Sequence, residues 1–367
     1  MTAKLARSDN FGQVFSFCVF NFDNERQIFV GSLPVGQRGQ GSACRTTAPR
    51  WSMSEHNEVE VPMAGTDVLV VGSVNYDYIV TQDRLPRRGE TFAAAGAKGA
   101  FGGKGANQAV QAARLGATVR FIGACGADGL GRQCLDNLRS QGVDCHMRPT
   151  EESSGLGIVH VVGEGDVYAT IVEGANGAVD RGWIDENAQL FQDAGVVVIQ
   201  NEIPAEANER TVELAAAAAV PVVFNAAPAR PVAERVTRRC TWFVVNEDEA
   251  SAYLGRDLGD VRDDTAMRRA VVDLQRFCRG VVLTLGSRGC YVADGTSVQF
   301  IEAVPTHAVD STGAGDSFIG AFADALVNGS DPVAAAVDAT RVASITVEGV
   351  GAQSSMPTRE VLTSEVL

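Results

Sequence analysis

A parallel α/β sheet covered by helices on both faces is the fold this 367-residue chain predicts. Three observations lead there. From Asp67 onward, short β-branched apolar runs recur, each closing in Gly, Asn or another polar residue. Several are followed by stretches of helical character, and strands alternating with helices form βαβ units. The composition, 45% apolar and 21% charged, is ordinary for a globular protein with length to spare for a sizeable core.

The elements follow in chain order. DVLVVGS (67–73) opens the sheet, and Ala106 to Leu115 gives the first helix. TVRFIGACG (118–126) and GVVVIQNE (195–202) are the next core strands, the latter feeding a helix over Ala205 to Ala219 in which the alanines serve as helix filler. VPVVFNAAP (220–228) and TWFVVNEDE (241–249) continue the series. Helices over Glu247 to Leu254 and Thr265 to Cys278 precede GVVLTLGS (280–287). Two segments lack helix signals and alternate instead: Tyr78 to Lys98 and Gly155 to Val172. They pair either as a small separate sheet over the strand ends or as an ordinary hairpin excursion. Residues 1 to 66 mix Gly, Arg, Ser and Asn without a sustained period and read as a flexible extension ahead of a domain over 67–367. Met53 and Met63 offer alternative starts within it.

Charge and cysteine usage narrow the partners. A net charge of −14 repels nucleic acid and anionic membrane. It leaves room for a small anionic ligand held by backbone amides and metal ions. The eight cysteines (18, 44, 125, 134, 145, 240, 278, 290) form no C-x-x-C pair and have no clustered histidine, so free thiols in a reducing compartment are expected. No apolar run reaches the ~18 residues of a membrane span. VFSFCVF (14–20) lacks the basic flank and cleavage site of a signal peptide.

Ligands of such sheets bind beyond the carboxyl ends of the strands. The polar residues there are Asn75, Asp77, Glu202, Asn225, Asn246 and Thr284. AVDSTGAGDSFIGAF (308–322) is the strongest constellation. Gly313, Ala314 and Gly315 let an anion approach free amides at a helix start. Asp316 beside them is either a proton acceptor for phosphoryl transfer or a plain N-cap. TLGSRGCYV (284–292) is a ligand turn or a simple hairpin. NEDE (246–249) offers carboxylates for hydrated magnesium or acids in a helix's first turn. AFGGKGANQAV (100–110) fits neither a P-loop, because positions 98 and 105 are Lys98 and Gly105, nor a G-x-G-x-x-G fingerprint. Asn75, Asp77, Lys104, Asn107 and Glu202 are side chains suited to sugar hydroxyls.

Taken together, GSVNYDYI, AFGGKGANQAVQAARLGA, TLGSRG and DSTGAGDSFIGAF resemble the ribokinase family, within the carbohydrate and nucleoside kinases, from about Asp67 to about Pro357. The resemblance implies a doubly wound, mostly parallel sheet with a small β-lid that closes over the site and pairs with a second copy to form a homodimer. It implies a cytoplasmic sugar kinase, other intracellular compartments left open, taking ATP and D-ribose to ADP and ribose 5-phosphate.

Position by position, the resemblance makes Asn75, Asp77, Gly103, Lys104, Asn107 and Glu202 sugar contacts, Gly103 and Lys104 through their backbone. Asp316 becomes the base for the 5-hydroxyl, and Gly313 to Gly315 the anion hole. Asn246, the turn Thr284, Leu285, Gly286, Ser287, Arg288 and Gly289, together with Gly315 and Thr340, become ATP contacts. Glu249 organises magnesium through water. Asp310, Thr312, Thr346, Gly349, Gly351 and Ser355 enclose potassium, mostly through carbonyls; at Gly349 many bacterial members carry a longer basic residue. Two rivals are implied as well: a kinase for another pentose, deoxyribose or a nucleoside, and a sugar-binding regulator without activity. Phe92, Phe101 and Tyr168 are candidate rings for contact with a nucleoside base.

Overall fold

The computed structural model describes residues 16–22, 25–31, 65–163 and 166–364. It divides into two units, Met1–Glu55 and His56–Leu367. In the first, β1 (Ser16–Phe22) and β2 (Glu25–Gly31) pair antiparallel, from Ser16 opposite Gly31 to Phe22 opposite Glu25. The sequence analysis named no strand here. The expected flexibility of most of residues 1–66 lies outside the described residues.

The second unit holds the α/β domain. Its elements are β3 (Asp67–Val71), β4 (Asn75–Gln82), β5 (Gly96–Gly102), α1 (Lys104–Arg114), β6 (Val119–Ala124), α2 (Gly129–Ser140), β7 (Asp144–Arg148), β8 (Gly155–Val162) and β9 (Asp166–Val172). There follow α3 (Arg181–Glu186), β10 (Ala194–Gln200), α4 (Ala205–Ala217), β11 (Val222–Asn225), α5 (Glu234–Thr237), β12 (Trp242–Asn246), α6 (Glu247–Leu254) and α7 (Asp264–Leu274). The last are β13 (Gly280–Thr284), β14 (Gly289–Ala293), β15 (Val298–Glu302), α8 (Ala314–Val327), α9 (Pro332–Thr346) and α10 (Arg359–Ser364).

A nine-stranded sheet runs in the order β15-β14-β13-β12-β11-β10-β3-β6-β7. It is parallel from β7 to β13, with β14 and β15 added antiparallel. Successive side chains of a strand point to opposite faces, and the core divides accordingly. Leu69, Val71, Ile199, Phe224 and Phe243 meet α4 and α7 through Val212 and Met267. Val68, Val70, Val198, Val223 and Trp242 meet α1, α8 and α9 through Ala109, Phe322 and Ala339. That is why the strands read as unbroken apolar runs.

The second sheet has four strands in the order β5-β4-β8-β9. The two alternating segments therefore form a separate sheet, with β4 starting earlier and β5 ending later than the pattern suggested. β4 leaves the end of β3 carrying Asn75 and Asp77, and β5 delivers the chain to Gly103 at the start of α1. Gly103 has φ 87°, and a Cβ there would lie 2.7 Å from the Asn75 nitrogen. α1 and α8 approach closely because Gly320 lacks a side chain: a Cβ there would meet the Gln108 carbonyl oxygen at 2.6 Å. Since every strand of both sheets in this unit lies after residue 66, a chain started at Met53 is expected to keep its melting temperature and its activity. A loss of either on truncation would show that the domain needs the segment.

Candidate active site

Asp316 stands at the meeting point of α1 and α8. The N-cap of α8 is Gly313, with φ 80°, and it caps through no side chain. Asp316 is the third residue of the helix, so the plain N-cap reading is overturned. A Cβ on Gly313 would meet Ala352 at 2.7 Å, whereas space beside Gly315 is open to 4 Å. The Ala314 N–H is already given to the Ser311 carbonyl at 3.2 Å. The Gly315 and Asp316 amides, in the first turn of the helix, have no acceptor within it. Asp316 is buried, at 7% exposure, and both its oxygens accept amide bonds. Asn107 Nδ2 donates to Oδ2 at 2.8 Å and Gln108 Nε2 to Oδ1 at 3.0 Å. Gln353 Nε2 donates to Asn107 Oδ1 at 3.0 Å, fixing that amide's orientation.

On the side of the small sheet, Asn75 is buried and its Oδ1 accepts from Asn176 Nδ2 at 2.8 Å. Asp77 sits between Gly102 of β5 and Gly157 of β8; a Cβ on either would fall within 2.2 Å of its carboxylate oxygens. Asp77 Oδ1 is buried without a hydrogen-bond partner among the described residues. Burial, with Glu202 and Asp316 nearby, pushes the Asp77 carboxyl up to about 6. Glu202 Oε2 accepts from Ser73 Oγ at 2.6 Å and from the Lys104 N–H at 3.0 Å, which pins the turn into α1. The Lys104 side chain does more than a backbone contact requires. Burial works against its ammonium, but Asp316, Glu202 and Glu249 outweigh this and hold it above the usual lysine range.

Lys104, Asn225, Asn246, Glu249, Thr284, Gly315 and Asp316 line one cleft. Asn246 and Glu249 form a capping box at the start of α6: Asn246 Oδ1 accepts from the Glu249 N–H at 2.8 Å, and Glu249 Oε2 from the Asn246 N–H at 2.9 Å. The helix-start reading of NEDE is thus realised in full, with Glu249 still in the cleft. Burial raises the Glu249 carboxyl, against the pull of the Asn246 amide and Lys104. The hairpin reading of TLGSRG is realised as well, between β13 and β14. Leu285 is buried in the core. Arg288 donates to the Val261 carbonyl and lies over the Phe300 ring at 5.1 Å. Thr340 is buried, with its hydroxyl given to the Ala336 carbonyl at 2.8 Å. The side chains of Leu285, Arg288 and Thr340 are engaged within the protein, which leaves the turn's backbone facing outward from the strand end. Ser287, Gly286 and Gly289 keep a turn at the strand's end.

The two segments assigned to potassium meet at Asp310. Its Oδ1 accepts from the Thr312 hydroxyl and N–H at 2.6 and 2.9 Å, and its Oδ2 from the Gly351 N–H at 2.8 Å. Burial opposes ionisation here, but these donors together hold the carboxyl below its usual range. The Thr346 hydroxyl bonds the Val342 carbonyl at 2.9 Å and the Ser317 hydroxyl at 2.6 Å, and the Thr346 carbonyl accepts from the Gly349 N–H at 3.3 Å. A Cβ on Gly349 would meet Ser355 Cβ at 2.6 Å, so the longer residue of other members has no room in this loop. Among the described residues no three His, Cys, Asp or Glu side chains converge as a metal cage. Magnesium would therefore keep most of its waters and lean on phosphate, with Glu249 beside it.

Gln108, Gln353, Ser73 and Asn176 are the residues that sequence reasoning missed. The first lies inside the quoted motif, yet nothing in its spacing tells a buried amide from a helix-surface one.

The chain is similar to known proteins over most of this unit. The family described as pfkB family carbohydrate kinase matches residues 65–359. The ribokinase of Bacillus subtilis is 36% identical over 295 residues, 80% of this chain and 97% of that protein. A deoxyribokinase of Salmonella typhi is 32% identical, covering 80% and 96%. The solved structure of Arabidopsis thaliana ribokinase complexed with ribose and ATP superposes with a TM-score of 0.76 at 30% identity, covering 82% of this chain and 98% of that one. With its carboxylate-centred cleft and a match of this extent, the chain belongs to the pfkB family of carbohydrate kinases.

Proposed function

We propose that this kinase transfers the γ-phosphoryl group of ATP to the 5-hydroxyl of D-ribose. One observation carries the reading: the amides of the GGKGANQ turn and the carboxylate of the GAGD turn meet at Asp316, bringing the sugar side and the phosphate side together. Resemblance to ribokinases, one of them complexed with ribose and ATP, supports it. The sugar would rest against Asn75, Asp77, Asn107 and Glu202, with the Gly103 and Lys104 backbone. The triphosphate would lie along Asn246, Thr284 and the amides of Gly315 and Asp316.

Asp316 takes the proton as the hydroxyl oxygen bonds phosphorus and the bond to the β-phosphate oxygen breaks, releasing ADP. Each carboxylate oxygen has two acceptor sites, so Asp316 accepts the hydroxyl while keeping its amide bonds. Lys104, charged and half-buried, faces the phosphate charge that develops. Magnesium, near Glu249, would supply charge neutralisation between the phosphates. ADP release measured over a panel of ribose, deoxyribose, other pentoses and nucleosides tests the assignment. Ribose must give the highest kcat/KM. Preference for deoxyribose, the sugar named for the Salmonella relatives, is the second reading. Binding without ADP release would mean a regulator.

Potassium is proposed to support the anion hole indirectly. It would tie the loop 346–355 to the strand end at Asp310, ahead of Gly313 to Asp316, and so fix the amides before phosphate arrives. Exchanging sodium for potassium at fixed magnesium and ionic strength should raise kcat/KM. Asp310→Ala should abolish most of that rise; a wild-type chain indifferent to the exchange contradicts the site. One face of the small sheet exposes Tyr78, Tyr168 and Val172. We read this face as the lid's contact with a second copy, and the protein as a cytoplasmic homodimer working where ATP is supplied. No helix of the described residues is long and apolar enough to cross a membrane.

A further inference from the structure

Behind Asp316 lies a chain of amides that takes no part in the chemistry above. Gln108 Nε2 forks at 3.0 Å to Asp316 Oδ1 and at 3.0 Å to Asn225 Oδ1. Gln108 Oε1 accepts from Gln200 Nε2 at 2.8 Å. Gln108 and Gln200 are 1% and 0% exposed, and neither lines the cleft. We propose that Gln200 and Gln108 are a positioning relay, in which Gln200 fixes the orientation of the Gln108 amide and Gln108 fixes the plane of the Asp316 carboxylate. The inference rests on Asp316 being the base.

The geometry permits one orientation only. Turned over, the Gln108 amide would face Asp316 and Asn225 with its oxygen and Gln200 with its nitrogen, losing all three bonds. Gln200 makes this choice at a cost to itself. Its Oε1 meets no donor among the described residues and packs against Gly72, where a Cβ would lie 2.1 Å away. An apolar side chain of similar length would leave no such orphan. The bond to Gln108 is the only side-chain hydrogen bond Gln200 makes among the described residues. The relay crosses the fold from the end of β10 through α1 to α8, so the base is referenced to the rigid sheet rather than to its own glycine-rich turn.

An N–H donor favours the charged form of a carboxylate. Its removal should both loosen Asp316 and raise its proton affinity. Other charged groups face Asp316 too: Asp77 from β4, Lys104 from α1, Glu202 after β10 and Glu249 from α6. Asp77 titration acts on sugar binding and is read in kcat/KM. The acid limb of kcat at saturating ribose reports the base in the loaded enzyme.

The test uses Gln108→Met, Gln200→Met and the double variant of the full chain, with ADP release followed across pH. Gln108→Met should lower kcat about 10- to 100-fold with both KM values within about twofold, and move the acid limb of kcat upward by about half a unit or more. Gln200→Met should do the same to a smaller degree. The double variant should match Gln108→Met alone, because the outer residue acts only through the inner one. Acid limbs left in place in both single variants, or effects that add in the double, overturn the relay. If Gln108→Met does not fold, Gln200→Met decides, since it leaves the bond to Asp316 intact. Asp316→Asn separates the two readings: if it retains turnover, the base assignment has failed, and if it abolishes turnover while the glutamine variants keep the wild-type limb, only the relay has.

Discussion

Asp316→Asn is expected to lower kcat by about 10² to 10⁴, the usual range for loss of a general base. KM for ribose and for ATP should change little by comparison. The substitution keeps the shape of the side chain and the helix start it occupies. It removes the capacity to accept the hydroxyl proton as charge develops on the attacking oxygen. The structure adds a second consequence. Asp316 receives amide donors from both Asn107 and Gln108. An asparagine has one oxygen, so its own NH₂ must face one of those donors. A buried donor left unpaired costs on the order of 1–3 kcal/mol, and the variant should melt at a lower temperature. Ribose binding by calorimetry separates this from damage to the site. A fall in turnover of less than tenfold, with binding unchanged, would remove Asp316 from the role of base.

The residues that touch ligand in this reading announce themselves in the sequence, whereas those that hold them do not. Strands buried on both faces must be apolar throughout, so β3, β10, β11, β12 and β13 are visible as runs. Asp316 is visible because three small residues before a carboxylate are unusual at a helix start. Its place as third residue was not visible: the cap is Gly313, chosen by a positive φ rather than by a side chain. NEDE shows the opposite difficulty, since a capping box and a cleft carboxylate use the same asparagine and glutamate. The engagement of Thr340 is equally unmarked, because a threonine inside a helix can give its hydroxyl proton to the preceding turn. The supporting amides were silent. Gln200 and Gln108 are 92 positions apart, and Gln353 and Asn107 are 246 apart. No local period records such pairs; only the close approach of α1 to α8 and the sheet brings them together.

Asp77→Asn should separate sugar binding from stability, and move them in opposite directions. In the sugar-free protein Asp77 is half-buried, its Oδ1 buried and unpaired among the described residues, and burial with two carboxylates nearby raises the carboxyl from 3.8 to about 6. A folded-state value above the unfolded one means that the folded chain binds the proton more tightly. The sugar-free protein is therefore most stable where Asp77 is protonated, and it loses stability as pH rises from about 4 to about 6. Above that the loss is complete, on the order of 3 kcal/mol for a shift of this size. Asp77→Asn lacks the charge, so it should melt higher than wild type at neutral pH, with the gap closing below about pH 4. Sugar hydroxyls are what the carboxylate lacks. Ribose should therefore raise the wild-type melting temperature more at neutral pH than at pH 5, and KM for ribose should climb as pH falls through about 6. In the variant a charged hydrogen bond to the sugar is lost, roughly 1.5–3 kcal/mol, or about 10- to 150-fold in KM for ribose. KM for ATP should stay near its wild-type value. Equal effects on both substrates, or a variant that melts lower than wild type at neutral pH, would place Asp77 in the scaffold of the small sheet rather than at the sugar.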